Sequence, residues 1–104
     1  MTKGWIRVAA LAEVPEGTTR LVEVNGNDVC LYNLGGTIYA TQDMCTHAEA
    51  SLADGFIDGD AIECPLHQAL FDIRTGKVLN PPATANLRVY PVLVDGDQIR
   101  VFDE

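Results

Sequence analysis

Hydrophobic and polar positions alternate in short runs along most of the chain, and no stretch shows the three-to-four spacing of a long amphipathic helix. A period of two sends successive side chains to opposite faces of a strand, so the pattern predicts an all-β protein. Trp5-Ile6-Arg7-Val8-Ala9 is the first expected strand. Ala10 to Val14 allows one helical turn, stopped by Pro15 and the turn Glu16-Gly17. Arg20-Leu21-Val22-Glu23-Val24 alternates up to Asn25-Gly26, a strong hairpin signal. Asp28 to Asn33 returns, Gly35-Gly36 turns again, and Thr37 to Thr41 follows. Near the end, Arg88 to Val94 and Gln98 to Phe102 flank Asp95-Gly96-Asp97 and predict a last hairpin. Pro91 has no N–H for a ladder, so its strand is expected to carry an edge or a bulge there.

Residues 42–86 break this rhythm. Asp54-Gly55, Asp58-Gly59-Asp60, Pro65, Thr75-Gly76 and Asn80-Pro81-Pro82 are turn formers. They leave room only for loops joined by short strands such as Ala61-Ile62-Glu63 and Ala69-Leu70-Phe71-Asp72. The expected organisation is a single domain over 1–104, a β scaffold with a loop-rich insert that holds a site.

Composition narrows the class. Hydrophobic residues make up 47% and charged residues 21% of the 104, as in a globular domain. No apolar run approaches the roughly 20 residues of a membrane span. The N-terminus lacks the basic-then-apolar layout of a secretory signal, so a cytoplasmic location is expected. Fifteen acidic against seven basic residues give a net charge of −8. That balance disfavours nucleic acid and anionic membranes, both of which need Lys and Arg clusters. The acidic residues Glu49, Asp54, Asp58, Asp60 and Glu63 form either a solvated turn surface or a docking face for a basic partner.

The chemistry lies in the insert. Cys45-Thr46-His47 is followed, after sixteen intervening residues, by Cys64-Pro65-Leu66-His67. Both histidines of the chain thus fall within three residues of a cysteine. Residues two apart in extended backbone point the same way, and Pro65 presets a turn that brings Cys64 and His67 round to one point. Thiolate is a soft anionic ligand and imidazole a neutral one, and iron accepts both. A structural Cys2His2 zinc site is the competing metal reading. A C-x-H knuckle is tight for two ligands on one tetrahedral ion, and two metals relax that constraint. Cys30 sits in the apolar run Val29-Cys30-Leu31-Tyr32 and reads as a buried, inert thiol. With two cysteines committed to metal, no intramolecular disulfide can form, which fits a reducing compartment.

The spacing C-x-H-(x16)-C-x-x-H resembles that of the Rieske [2Fe–2S] proteins, and Phe71-Asp72, Thr75-Gly76 and Pro82 match further features of that family. The resemblance implies a Rieske fold of three stacked antiparallel sheets, with a cluster-binding subdomain at about 42–86. It implies one [2Fe–2S] cluster, with Cys45 and Cys64 on one iron and His47 and His67 on the other. Leu66 and Pro82 are then expected to shield the cluster. In size the chain is similar to the soluble Rieske ferredoxins of bacterial aromatic ring-hydroxylating dioxygenase systems. These imply two partners, a flavin-dependent ferredoxin reductase and a terminal Rieske oxygenase. A small Rieske-like subunit of an assimilatory nitrite reductase is the alternative.

The chain also departs from common family patterns. Ala48 follows the first His, and Gln68-Ala69 follow the second, where many relatives have Gly. These side chains predict ordinary backbone angles or a slightly different loop path. The loop cysteines of high-potential relatives correspond to Ala50 and Leu66, and their Ser and Tyr donors to Ala69 and Phe71. Fewer hydrogen bonds to sulfur leave an added electron less stabilised. The potential is therefore expected near the lower end of the Rieske range of roughly −150 to +300 mV. No His remains for a mononuclear oxygenase iron, and no phosphate loop or dinucleotide fingerprint is present. An electron carrier that converts no substrate itself is the expected function.

Overall fold

A computed structural model describes residues 3–46, 49–66, 68–81 and 83–103. Among the described residues ten strands form in chain order: β1 (Gly4–Ala10), β2 (Thr19–Val24), β3 (Asn27–Leu34), β4 (Thr37–Gln42), β5 (Phe56–Asp58), β6 (Ala61–Glu63), β7 (Leu70–Asp72), β8 (Val89–Tyr90), β9 (Val92–Asp95) and β10 (Gln98–Asp103). They make three sheets of order β1-β10-β9, β2-β3-β4-β8 and β5-β6-β7, and every strand pairing is antiparallel. The three-sheet, all-β expectation is met.

The expected helical turn is a short 3-10 turn, Leu11–Glu13. The β2–β3 hairpin turns on Asn25 and Gly26, with φ of 50° and 84°. Positive φ at both positions is what a two-residue turn matched to strand twist requires.

β3 explains the apolar run that contains Cys30. Val29 and Leu31 enter one core with Val24, Ile38, Ala40, Ile99 and Val101. Cys30 and Tyr32 enter a second core with Leu52, Ile62, Phe71 and both cysteines of the insert. A strand buried on both faces needs no polar alternation. The Tyr32 hydroxyl satisfies itself on Thr41 Oγ1 at 2.8 Å.

One expectation is corrected. Arg88 to Val94 is not a single strand with a bulge. Pro91 separates β8, which pairs with β4, from β9, which pairs with β10. Lacking an N–H, Pro91 ends one ladder, and its carbonyl accepts the Phe102 N–H at 3.0 Å as the chain passes to the next sheet. β5 is an addition to the expected strands, paired with β6 from Phe56↔Glu63 to Asp58↔Ala61.

Cys30 behaves as an inert thiol. It is fully buried, and burial pushes its pKa up to about 12. Because the folded pKa lies above the unfolded one, its contribution to stability is complete below about pH 9. It is lost as pH rises toward 12. The melting temperature is expected to fall over that window, and to fall less steeply in Cys30→Ala. Parallel curves for the two proteins would remove Cys30 as a source of alkaline lability.

Candidate metal centre

Two loops, 45–50 and 64–69, are closed by the same hydrogen bond. The Cys45 N–H donates to the Ala50 carbonyl at 3.0 Å, and the Cys64 N–H to the Ala69 carbonyl at 2.8 Å. The second loop caps the β6–β7 hairpin just beyond the pair Glu63↔Leu70. The first grows from the single bridge Met44↔Ser51. Each loop opens on its cysteine at the point where a short ladder ends, so both side chains turn inward to the same core.

Both thiols are buried and free of disulfide, and they lie within hydrogen-bonding reach of each other. Burial pushes the Cys64 thiol up to about 11. The Leu66 backbone N–H near its sulfur opposes that rise, and the neighbouring Cys45 adds to it. Two juxtaposed, buried sulfurs form a soft donor pair, and burial keeps the Cys64 thiol protonated near neutral pH until a cation is present to stabilise the thiolate. This chemistry fits the thiolate end of an iron–sulfur cluster.

The structure therefore brings Cys45 and Cys64 together. His47, His67 and Pro82, and also Ala48, lie outside the described residues. Leu66 is 46% exposed, at the surface of the second loop. Ala50, Ala69 and Phe71 are buried with the two thiols, among Leu52, Ile62, Ile73, Ala83 and Leu87. The positions expected to lack hydroxyl donors thus form an apolar wall of the site. Glu49, Asp54, Asp58 and Asp60 are exposed, and Asp60 pairs with Arg74 at 3.1 Å.

Gln68 overturns an expectation. Its φ is 59°, in the left-handed region, although its side chain predicts ordinary angles. Gln68 directly precedes the Ala69 carbonyl that accepts the Cys64 N–H, and that closure imposes the conformation. Gln68→Gly is expected to raise stability by about 0.5–1 kcal/mol, seen as a melting temperature a few degrees higher. A lower melting temperature would show that the Gln68 side chain makes compensating contacts.

Polar side chains fasten the segments around the loops. Asn80 Oδ1 accepts the Leu70 N–H at 2.7 Å, and Asn86 Oδ1 accepts the Val78 N–H at 3.0 Å. The Thr46 hydroxyl donates to the Ala85 carbonyl at 2.7 Å, joining the first cysteine loop to the segment around Ala83. Sequence reasoning missed Asn80 and Asn86 as braces. Asn80 reads only as a turn former beside Pro81-Pro82, and the partners of both are set by tertiary structure.

Comparison with known proteins extends this geometry. The Rieske [2Fe–2S] domain model matches residues 4–91. The ferredoxin component of a naphthalene 1,2-dioxygenase system from Pseudomonas aeruginosa is 46% identical over 101 residues, covering 97% of each chain. The ferredoxin of carbazole 1,9a-dioxygenase from Nocardioides aromaticivorans superposes with a TM-score of 0.92 at 36% identity, over 98% of this chain and 100% of that one. A chain in the complex of reduced oxygenase and oxidized ferredoxin in carbazole 1,9a-dioxygenase gives a TM-score of 0.90 at 38% identity, covering 97% and 94%. A nitrite reductase small subunit from Mycobacterium tuberculosis reaches 0.87 at 21% identity over 100% and 98%, which shows the shared fold alone.

Proposed function

The chain belongs to the Rieske [2Fe–2S] domain family, whose cofactor is a Rieske-type iron–sulfur cluster, and from that premise we propose that it is the ferredoxin component of an aromatic ring-hydroxylating dioxygenase system. In this role it works as one domain over 1–104, with its cluster-binding part at about 42–86. It holds a single [2Fe–2S] cluster and converts no substrate itself. It accepts electrons from a flavin-dependent reductase and delivers them to a terminal Rieske oxygenase, in the cytoplasm. The observation that carries the reading is the pair of buried thiols presented by two equivalently closed loops, in a chain 46% identical to a dioxygenase ferredoxin over nearly its whole length.

Cys45 and Cys64 would hold the inner iron, and His47 and His67 the outer one. The bound group supplies one-electron chemistry at a potential set by its ligands and surroundings. The chain's own part is to exclude water and to limit the donors that reach sulfur. Phe71 and Ala69, fully buried, present carbon where a hydroxyl would stabilise added negative charge. The Leu66 backbone N–H remains as a polar group near the Cys64 sulfur. With this apolar wall around sulfur the expected potential is near the lower end of the Rieske range, roughly −150 mV. Leu66 and Pro82 are assigned to shielding the histidine end.

Reconstitution tests the assignment. With a flavin reductase, NADH and a terminal aromatic-ring oxygenase, product should form only when this protein is added. The rate should also fall as ionic strength rises, because exposed carboxylates steer docking. Failure to mediate turnover, together with tight stoichiometric co-purification with a nitrite reductase, would assign the chain to the permanent-subunit class instead.

A further inference from the structure

We propose that the Gln42 carboxamide is a positioning residue for the first cysteine loop and, through it, for Cys45. This inference rests on the cluster reading above and adds a residue to it.

The two cysteine loops have unequal backbone support. The second rises from a hairpin inside a three-stranded sheet. The first rises from one isolated bridge, Met44↔Ser51, beside which Asp43 accepts the Ala53 N–H on Oδ1 at 3.0 Å and donates its own N–H to the Asp28 carbonyl at 3.1 Å. A lone bridge fixes a stem poorly, and yet Cys45 must meet Cys64 within the tolerance of a shared metal site.

Gln42, the last residue of β4, supplies a further restraint, the one that reaches the segment entering β8. Its backbone N–H donates to the Arg88 carbonyl at 2.8 Å, and its Oε1 accepts the Arg88 N–H at 2.8 Å. Its Nε2 donates to the Met44 carbonyl at 2.7 Å. One side chain thus grips the stem of the first loop and the segment entering β8. The far side of this clamp is itself anchored. The Arg88 guanidinium lies 4.3 Å from the Tyr90 ring centroid, and its Nη2 donates to the buried Asp103 carboxylate of β10 at 2.9 Å. Just before Arg88, the Leu87 N–H donates to the Gly76 carbonyl at 2.7 Å. The Gln42 amide therefore references the stem of the first loop to both the scaffold and the 76–87 segment, beside the Thr46–Ala85 bond farther along the loop.

The chemistry of the clamp is specific. A carboxamide accepts with oxygen and donates with nitrogen at once. Glutamate keeps the acceptor for Arg88 and sets an oxygen against the Met44 carbonyl. Methionine keeps the length and loses both bonds.

The test is the rate at which an iron chelator strips the oxidised, loaded protein, well below its melting temperature. Gln42→Met is expected to lose the cluster about tenfold faster than wild type, the order set by two neutral hydrogen bonds. Gln42→Glu should lose it several-fold faster, on the order of one lost bond or more. Val101→Ala, in the core between the first two sheets, should lower the melting temperature while leaving the stripping rate within about twofold of wild type. A wild-type stripping rate in Gln42→Met would overturn the proposal. So would a Val101→Ala rate raised as far as that of Gln42→Met. If Gln42→Met does not fold, the Gln42→Glu rate decides by the same criterion. Wild-type protein that binds no cluster at all would instead overturn the family-based reading, an outcome visible before any variant is made.

Discussion

Cys64→Ala is expected to give a folded, colourless protein. Cys64 is 1% exposed, so removing its sulfur leaves a small cavity and lowers stability by about 1–2 kcal/mol, which a domain of this size survives. Cluster content should fall to essentially nothing, because a single remaining thiolate cannot carry one end of the site. Cys30→Ala provides the contrast. Cys30 is as deeply buried as Cys64 and loses a sulfur of the same size, but its thiol bonds only weakly to the Leu31 carbonyl at 3.7 Å. That variant should lose comparable stability and keep its full visible absorption. Iron and acid-labile sulfide assays on both proteins settle the matter. A coloured, iron-replete Cys64→Ala protein would remove Cys64 from the ligand set.

Gly76→Ala carries the largest expected loss of stability. Gly76 has φ of 76°, a conformation that L side chains rarely adopt. A Cβ at this position would be driven into the Leu87 carbonyl and against the Val89 side chain. The Gly76 carbonyl meanwhile accepts the Leu87 N–H, so the two backbones cannot separate without breaking the bond that closes the 76–87 segment. Left-handed strain and overpacking together amount to about 2–4 kcal/mol, or a melting temperature lower by roughly 10–25 °C. Chemical denaturation of the purified variant measures this loss. A change below about 0.5 kcal/mol, the range of ordinary surface substitutions, would show that the close approach is not maintained.

The two sites also show which parts of the molecule a sequence can reveal. The β2–β3–β4 meander was legible because Asn25-Gly26 and Gly35-Gly36 punctuate runs of the right length, and turn chemistry is local. The two Cys–His pairs stand out as candidate ligands because both histidines crowd the two cysteines, a spacing that packing alone does not demand, and the structure brings the two cysteines of those pairs into one core. The division at Pro91 was not legible. Proline announces a missing N–H, but whether the chain bulges or changes sheet depends on which ladders wait on either side. β5 was missed because Phe56-Ile57-Asp58 is too short to show a period and lies between turn formers. The left-handed Gln68 was invisible for a related reason. Loop closure on the Ala69 carbonyl sets that backbone, and residue identity argues the other way. Gln42, Asn80 and Asn86 take their meaning from partners distant in the chain, so no local pattern could mark them as braces.

The central claim is that two loops present sulfur ligands to one iron and nitrogen ligands to the other. Electron-nuclear double resonance on the dithionite-reduced protein, with nitrogen-15 in its histidines, tests it most directly. The expected result is a rhombic signal coupled to two histidine nitrogens. Protein that is colourless and holds zinc, or a reduced cluster with no nitrogen coupling, would contradict it.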